Sequence, residues 1–350
     1  VTWPTRDTLP PTRDGLLLVS SEGDVVTPLP ETEARELTVE ALTAAGLGPS
    51  DRVVVALNND GEMTGSLLAQ AAATMTRAAA SVGPRGRLRL HTALERVRAT
   101  TLVTTPSGAM DFLARLHLEF LLDPLDLELR HILLLGEIAS PDVHAQLAAE
   151  FAASVVELYA DPFHGVPLAT REPSAPALTP VREGLLGLAP LDKDALLDPP
   201  YPGGPAEIVV TPPWSAEPLR TGQVVRPLPD GIPSPEHTVG EHVLVRGRWI
   251  SLPKVAAALA KIDGVAHWDL RVSREGTLDA AALHVTFRRE TLVTNPMWKG
   301  RIEQALLALT PVSVEVVIEP EISETVRPGT LTDLRGHHLG RDRSHLAGPL

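Results

Sequence analysis

Short apolar runs that recur between helix-patterned stretches constrain this chain more than any other feature. They are Arg52-Val53-Val54-Val55-Ala56-Leu57, Thr101-Leu102-Val103-Thr104, His131-Ile132-Leu133-Leu134-Leu135 and Ser154-Val155-Val156-Glu157-Leu158. Each is almost continuously apolar, as a buried strand is. Helical patterning is expected over 32–46, 66–80, 92–98, 107–120 and 141–151, with Arg87-Leu88-Arg89-Leu90 as a further extended piece. The first helix ends in the stop signal Gly46-Leu47-Gly48-Pro49. Strands that take turns with helices imply crossover units and a largely parallel sheet, because parallel neighbours need a long returning connection.

Ahead of these units, Leu16-Leu17-Leu18-Val19 reads as a short buried strand, and Thr27-Pro28 followed by Glu31 to Leu37 reads as a turn and a helix start. From about 171 to 205 proline, glycine and alanine dominate, and strands at Gly184 to Leu188 and Glu207 to Val210 suggest a more antiparallel section. The proline-dense stretch 227–235 resists regular structure. Beyond it, strands at 242–245, 265–273, 281–288 and 312–318 and helices at 253–262 and 297–309 form a small α+β unit. The expected division is a large domain over 1–230, a hinge over 231–240 and a small domain over 241–350. The tail after Pro320 offers little to bury and is expected to be flexible.

Composition excludes some classes of partner. A formal net charge of -13 argues against a nucleic-acid backbone or an anionic membrane, both of which need clustered cations. With no cysteine there is no disulfide framework and no thiolate nucleophile or metal ligand. The first residues lack the apolar core of a signal peptide and no run is long enough to span a bilayer, so the expected location is cytoplasmic. Adjacent His337 and His338 point apart on any regular element, and Ser107 lacks a nucleophile-elbow context. Neither a metal site nor a hydrolase triad is expected.

The loop Ser20-Ser21-Glu22-Gly23-Asp24 carries the most chemistry. Hydroxyls and a glycine between a strand and a helix are the context in which backbone N–H groups hold phosphate. Glu22 and Asp24 oppose that use: at about 4 Å and an effective dielectric near 20, each carboxylate–phosphate contact costs roughly 4 kcal/mol. A bridging divalent cation would relieve it. Glu137 is the acid that follows a continuous apolar strand, at the carboxyl end where open α/β sheets bind ligands.

Several segments, in order, resemble the phenylacetate-CoA ligase branch of the AMP-forming adenylate ligases. They are Leu16 to Pro30 with Ser20, Ser21, Gly23 and Thr27; Leu102-Val103-Thr104-Thr105-Pro106-Ser107; Leu133-Leu134-Leu135-Gly136-Glu137; and Tyr159-Ala160-Asp161-Pro162-Phe163. Glu207 to Thr211, Arg220-Thr221-Gly222-Gln223 and Val245-Arg246-Gly247 continue the series. The resemblance implies an α/β fold, with a large adenylate-ligase-like N-terminal domain on a mostly parallel sheet and a small α+β C-terminal domain. It implies a nucleotide site drawn from Ser20, Ser21, Gly23, Thr27, Gly136, Glu137, Tyr159, Arg220 and Gln223. The chain is short of the family ahead of the phosphate loop.

It also departs from the family where the chemistry is done. The position that carries the family's Mg²⁺-binding glutamate is Phe163, which cannot ligate a hard cation. The ribose-binding aspartate is replaced by Gln223, and no lysine follows Lys299, leaving Arg335, Arg341 or Arg343 as substitute cations. Losing one electrostatic stabiliser of a transition state costs roughly 3 to 4 kcal/mol. The expectation is a ligase scaffold with no catalytic residue and no resident metal. It would bind a small aromatic or acyl carboxylate, or a protein partner, between its domains. The alternative is a working acid-CoA ligase, using ATP, Mg²⁺ and CoA, in which Glu22 and Asp24 hold the metal. Trp249 and Trp268 are expected to pack in the small domain's core.

Overall fold

The computed structural model describes residues 2–9, 16–19, 26–59, 65–83, 86–307, 309–310, 312–323 and 329–346. The chain opens with the paired strands β1 (Leu17–Val19) and β2 (Val26–Pro28), then α1 (Glu31–Ala44). Four crossover steps follow: β3 (Arg52–Val55), α2 (Gly65–Met75), β4 (Ala78–Ser81), α3 (Arg87–Val97), β5 (Thr101–Thr104), α4 (Pro106–Arg115), β6 (His131–Leu134), α5 (Pro141–Phe151) and β7 (Ser154–Ala160). With β8 (Pro167–Arg171) and β9 (Thr179–Pro180) they form a sheet in the order β4-β3-β5-β6-β7-β8-β9. Pairings from β4 to β7 are parallel, and β8 and β9 join antiparallel.

Burial explains the apolar runs. Successive residues on a strand face opposite sides of the sheet, and here both sides are covered. Val54, Leu102, Ile132 and Leu134 face α3, α4 and α5, whereas Val53, Val55, Val103 and Leu133 pack with the α1 and α2 residues Leu42, Leu68 and Ala72. Each such side chain contributes about 1.5–3 kcal/mol when fully buried. The amino ends of the strands are tied by Asp51, which accepts hydrogen bonds from Gly48 N at 2.9 Å, Thr100 Oγ1 at 2.8 Å and Arg130 Nη2 at 2.6 Å. At the opposite ends, α4 starts with Thr105 as its cap and Pro106 in the first turn, and α5 starts with Ser140 and Pro141.

Two expectations for this region are corrected. The alanine-rich helix stops at Met75, and Ala78 to Ser81 is the edge strand β4, registered against Arg52 to Val55. Alanine carries no β-branch to announce a strand, so the pairing decides. Arg87 to Leu90 is the first turn of α3, where Leu90 and Leu94 stack on one buried face.

A second sheet of β10 (Leu186–Pro190), β11 (Ala206–Val210), β12 (Leu219–Val225) and β13 (His237–Thr238) is wholly antiparallel. The small unit begins with the hairpin β14 (His242–Val245) and β15 (Arg248–Ser251), turned by Arg246 and Gly247 with φ of 52° and 70°. It continues through α6 (Leu252–Ala260), β16 (Val265–Glu275), β17 (Leu278–Phe287), α7 (Glu290–Val293), α8 (Pro296–Leu307), β18 (Val314–Ile322), β19 (Thr330–Asp333) and α9 (Arg343–Leu346). Its sheet runs β18-β17-β16-β19 over a core that includes Trp268, Leu270, Phe287 and Ile302.

Residues 329–346 do more than the sequence led us to expect. After β19 the chain returns to the junction between the domains, where Thr238 N donates to His337 O at 2.7 Å, Leu339 N to Thr238 O at 2.9 Å and Gly240 N to Gly340 O at 2.9 Å. The tail therefore pairs with the chain at Thr238 and Gly240.

Candidate functional site

Of the residues singled out from sequence, Ser20, Ser21 and Gly23, with Glu22 and Asp24, lie outside the described residues. Thr27 sits in β2 opposite Leu18. The remaining positions fall into two groups separated in space.

The first group is internally satisfied. Tyr159, near the end of β7, is buried, and its hydroxyl donates to Gln223 Oε1 at 2.8 Å. Burial pushes the Tyr159 hydroxyl far above its usual range, so it stays a neutral donor. Gln223 follows Gly222, whose φ of 74° and 3.1 Å Cβ clearance to Val239 O suit glycine alone. Arg220 spends its donors on protein: Nη1 on Glu207 Oε2 at 2.6 Å, Nε on Asp194 Oδ1 at 2.6 Å, and Nη2 on Pro190 O at 3.0 Å and on Lys193 O. Glu207, fully buried, also accepts from Gly222 N at 2.8 Å and from Arg343 Nε at 3.1 Å.

Phe163 is held inward by a turn. Asp161 Oδ1 accepts from Phe163 N at 2.7 Å and His164 N at 3.3 Å, while Oδ2 meets His164 Nδ1 at 2.7 Å. That arrangement sends the Phe163 ring into the core shared by Leu29, Tyr159 and Ile208. No cluster of three or more metal-ligating side chains exists among the described residues. These surroundings do not fit a hard cation at Phe163.

What the sequence reading missed is the segment in front. Residues 2–9 lie across the junction: Trp3 N donates to Asp194 Oδ2 at 3.0 Å, and Pro4 O accepts from Arg220 N at 2.9 Å. The Arg220 guanidinium carbon lies 5.7 Å from the Trp3 ring centroid. Arg6 enters between Phe163 of the large domain and Trp249 of the small one, 5.7 and 4.9 Å from the two ring centroids, and donates to Pro162 O. Only about 20 Å³ of cavity is left beside Arg6, Arg220, His242 and Trp249. The signal available in sequence was the Trp3 and Arg6 pair in an otherwise featureless stretch.

The second group lines an open cleft of about 190 Å³ at the carboxyl ends of β3, β5 and β6. Its large-domain wall includes Asn58, Thr104, Ser107 and Glu137, and Arg246 and Arg248 of the β14–β15 hairpin face it. Glu137 accepts from Ser107 N at 2.8 Å and Ser107 Oγ at 2.7 Å. Burial, with a smaller push from Asp279, raises its carboxyl above the ordinary range despite those bonds. Gly136, with φ of 84°, lies just beyond β6 and turns the chain where Glu137 reaches Ser107. Arg87 joins the cleft from the start of α3 while pairing with Asp111. The sequence picked out Glu137 but not Arg87 or Arg248.

The tail arginines are engaged elsewhere. Arg335 bonds Asp333, Asp279 and Leu244 O; Arg341 pairs with Glu241 at 2.5 Å; Arg343 reaches Glu207. Trp249 and Trp268 are both buried, and Trp249 additionally forms one wall of the Arg6 slot.

Taken together, the parallel-rich sheet, the antiparallel second sheet and the small α+β unit are the fold of the AMP-forming acyl-CoA ligases. A 2-hydroxyisobutyryl-CoA ligase in complex with 2-HIB-AMP and CoA in the thioesterification state superposes with a TM-score of 0.73 at 17% identity, covering 91% of this chain and 73% of that one. A malonyl-CoA ligase with methylmalonyl-CoA and AMP gives 0.63 at 16% identity, covering 88% and 71%. An amide bond synthetase from Marinactinospora thermotolerans gives 0.61 at 16%, covering 87% and 61%. The same 2-hydroxyisobutyryl-CoA ligase scores 0.54 in an open conformation and 0.52 in its postadenylation state. No protein-family model and no curated sequence matches the chain.

Proposed function

We propose that this is a ligase-fold protein of the phenylacetate-CoA ligase-like kind that does not adenylate, and that it binds a small aromatic or acyl carboxylate in the cleft between its domains. The observation that carries this reading is the chain at and just after β7, which commits Tyr159 to Gln223 and puts the apolar ring of Phe163 where a hard ligand would be needed. A triphosphate with its metal needs hard ligands and uncommitted cations, and Arg220 is spent on Glu207 and Asp194. The open cleft has what an organic acid needs: Arg246 and Arg248 for charge, hydroxyls at Thr104 and Ser107, and apolar contact from Leu278 and Val312. Burial holds the Glu137 carboxyl above its ordinary range, which lessens its opposition to an incoming carboxylate.

A working acid-CoA ligase is the second reading, and the likeness to a thioesterification-state complex favours it for the CoA-binding half of such a reaction. Thermal-shift titrations with benzoate, phenylacetate, CoA and ATP·Mg²⁺, each alone, separate the two. Stabilisation by an acid, lost in Arg246→Ala, with none by ATP·Mg²⁺, supports the first; stabilisation by ATP·Mg²⁺ supports the second.

A further inference from the structure

We propose that the slot between Phe163 and Trp249 is a binding site for an arginine side chain presented by a peptide, filled in cis by Arg6 of residues 2–9 and open to a matching segment in trans when that strap leaves. The inference concerns the domain junction and does not depend on whether the protein adenylates.

The slot is built for a planar cation. A guanidinium offers two flat faces and edge donors, and the structure supplies a ring from each domain and a backbone acceptor, Pro162 O, at one edge. Recognition extends beyond Arg6. Three residues earlier, Trp3 packs on the Arg220 guanidinium, itself fixed by Glu207 and Asp194, and the backbone between the anchors is read by Arg220 N and Asp194 Oδ2. Thr5 N donates to Thr8 Oγ1 at 2.8 Å, closing a turn that presents Arg6 inward. An aromatic residue and an arginine at that spacing are therefore both specified.

Residues 2–9 belong to none of the sheets, so they can be displaced without unpairing a strand. Their contacts include one cation–π pair at Trp3, two at Arg6, and the hydrogen bonds of Trp3 N, Pro4 O and Arg6. Because Arg6 touches one ring from each domain, its departure also removes a tie across the junction.

The test uses the full-length chain and a labelled, N-acetylated peptide of residues 2–9 followed by fluorescence anisotropy. Trp3→Ala/Arg6→Ala, whose own strap lacks both anchors, is expected to bind the peptide at least about tenfold more tightly than the wild-type chain. The peptide carrying Arg6→Ala, or the further substitution Trp249→Leu in the protein, should lose that gain. Equal binding by wild type and variant, or binding indifferent to the peptide's arginine and to Trp249, overturns the proposal. A second measurement needs no variant: millimolar unlabelled peptide added to wild type should speed hydrogen exchange at amides of the protein's residues 2–9, and the Arg6→Ala peptide should not. Unchanged exchange with both peptides overturns it as well.

Discussion

The Tyr159 hydroxyl donates to Gln223 Oε1 at 2.8 Å, joining residues 64 positions apart inside a buried seam between β7 and β12. Thr221 also lies within hydrogen-bonding reach of that hydroxyl. Gln223→Leu is expected to remove the hydroxyl's bond across the seam and destabilise the fold by about 1–3 kcal/mol. Tyr159→Phe combined with Gln223→Leu should recover part of that loss, because the double variant leaves neither group unpaired. Urea denaturation of the four proteins in the cycle measures the coupling.

The Arg220–Glu207 pair should be far less forgiving than the surface pairs. Glu207 is fully buried and receives Arg220, Arg343 and Gly222 N together. Removing one partner leaves a buried charge uncompensated, and Arg220→Ala is expected to cost about 3–5 kcal/mol. Arg35→Ala, which breaks an exposed one-turn pair with Glu31, should change stability by less than about 0.5 kcal/mol. Chemical denaturation of both variants provides the comparison.

Acid should weaken the protein in two stages. Burial, aided by Arg6, Lys254 and Arg343, lowers His242 to about 3, and burial lowers His338 to about 4. Both remain neutral in the fold while the unfolded chain takes up their protons near pH 6.5, so stability is full above that pH and falls from there toward pH 4. A second loss follows below about pH 4, where Asp194 and Asp333 protonate. Burial pushes their carboxyls up, but Arg220 and Arg335 outweigh it and hold them below the ordinary range. Denaturation midpoints between pH 7.5 and 4.5 should decline, and His338→Asn should flatten the upper part of that decline.

The sheet was legible because burial on both faces leaves a signature in consecutive residues, as at Ile132 to Leu134. Ala78 to Ser81 was not, since alanine suits either state and only pairing with Arg52 to Val55 makes it a strand. In the site, Glu137 could be placed from its position after β6. Arg246 and Arg248 reach the same cleft only through the packing of the small domain onto the large one, and Arg87 through the fold of the large domain itself. The Trp3 and Arg6 pair gave no hint of its slot, which is made by Phe163 and Trp249, far apart in sequence, whose approach no local pattern encodes.

The central claim is that this fold no longer handles a triphosphate, and pyrophosphate exchange read alongside calorimetric titration of ATP·Mg²⁺ tests it most directly. The account predicts background exchange with every aromatic or acyl acid and no ATP binding tighter than about millimolar, an affinity of roughly 4 kcal/mol. Micromolar ATP binding with acid-dependent exchange that disappears in Asp24→Ala would contradict it.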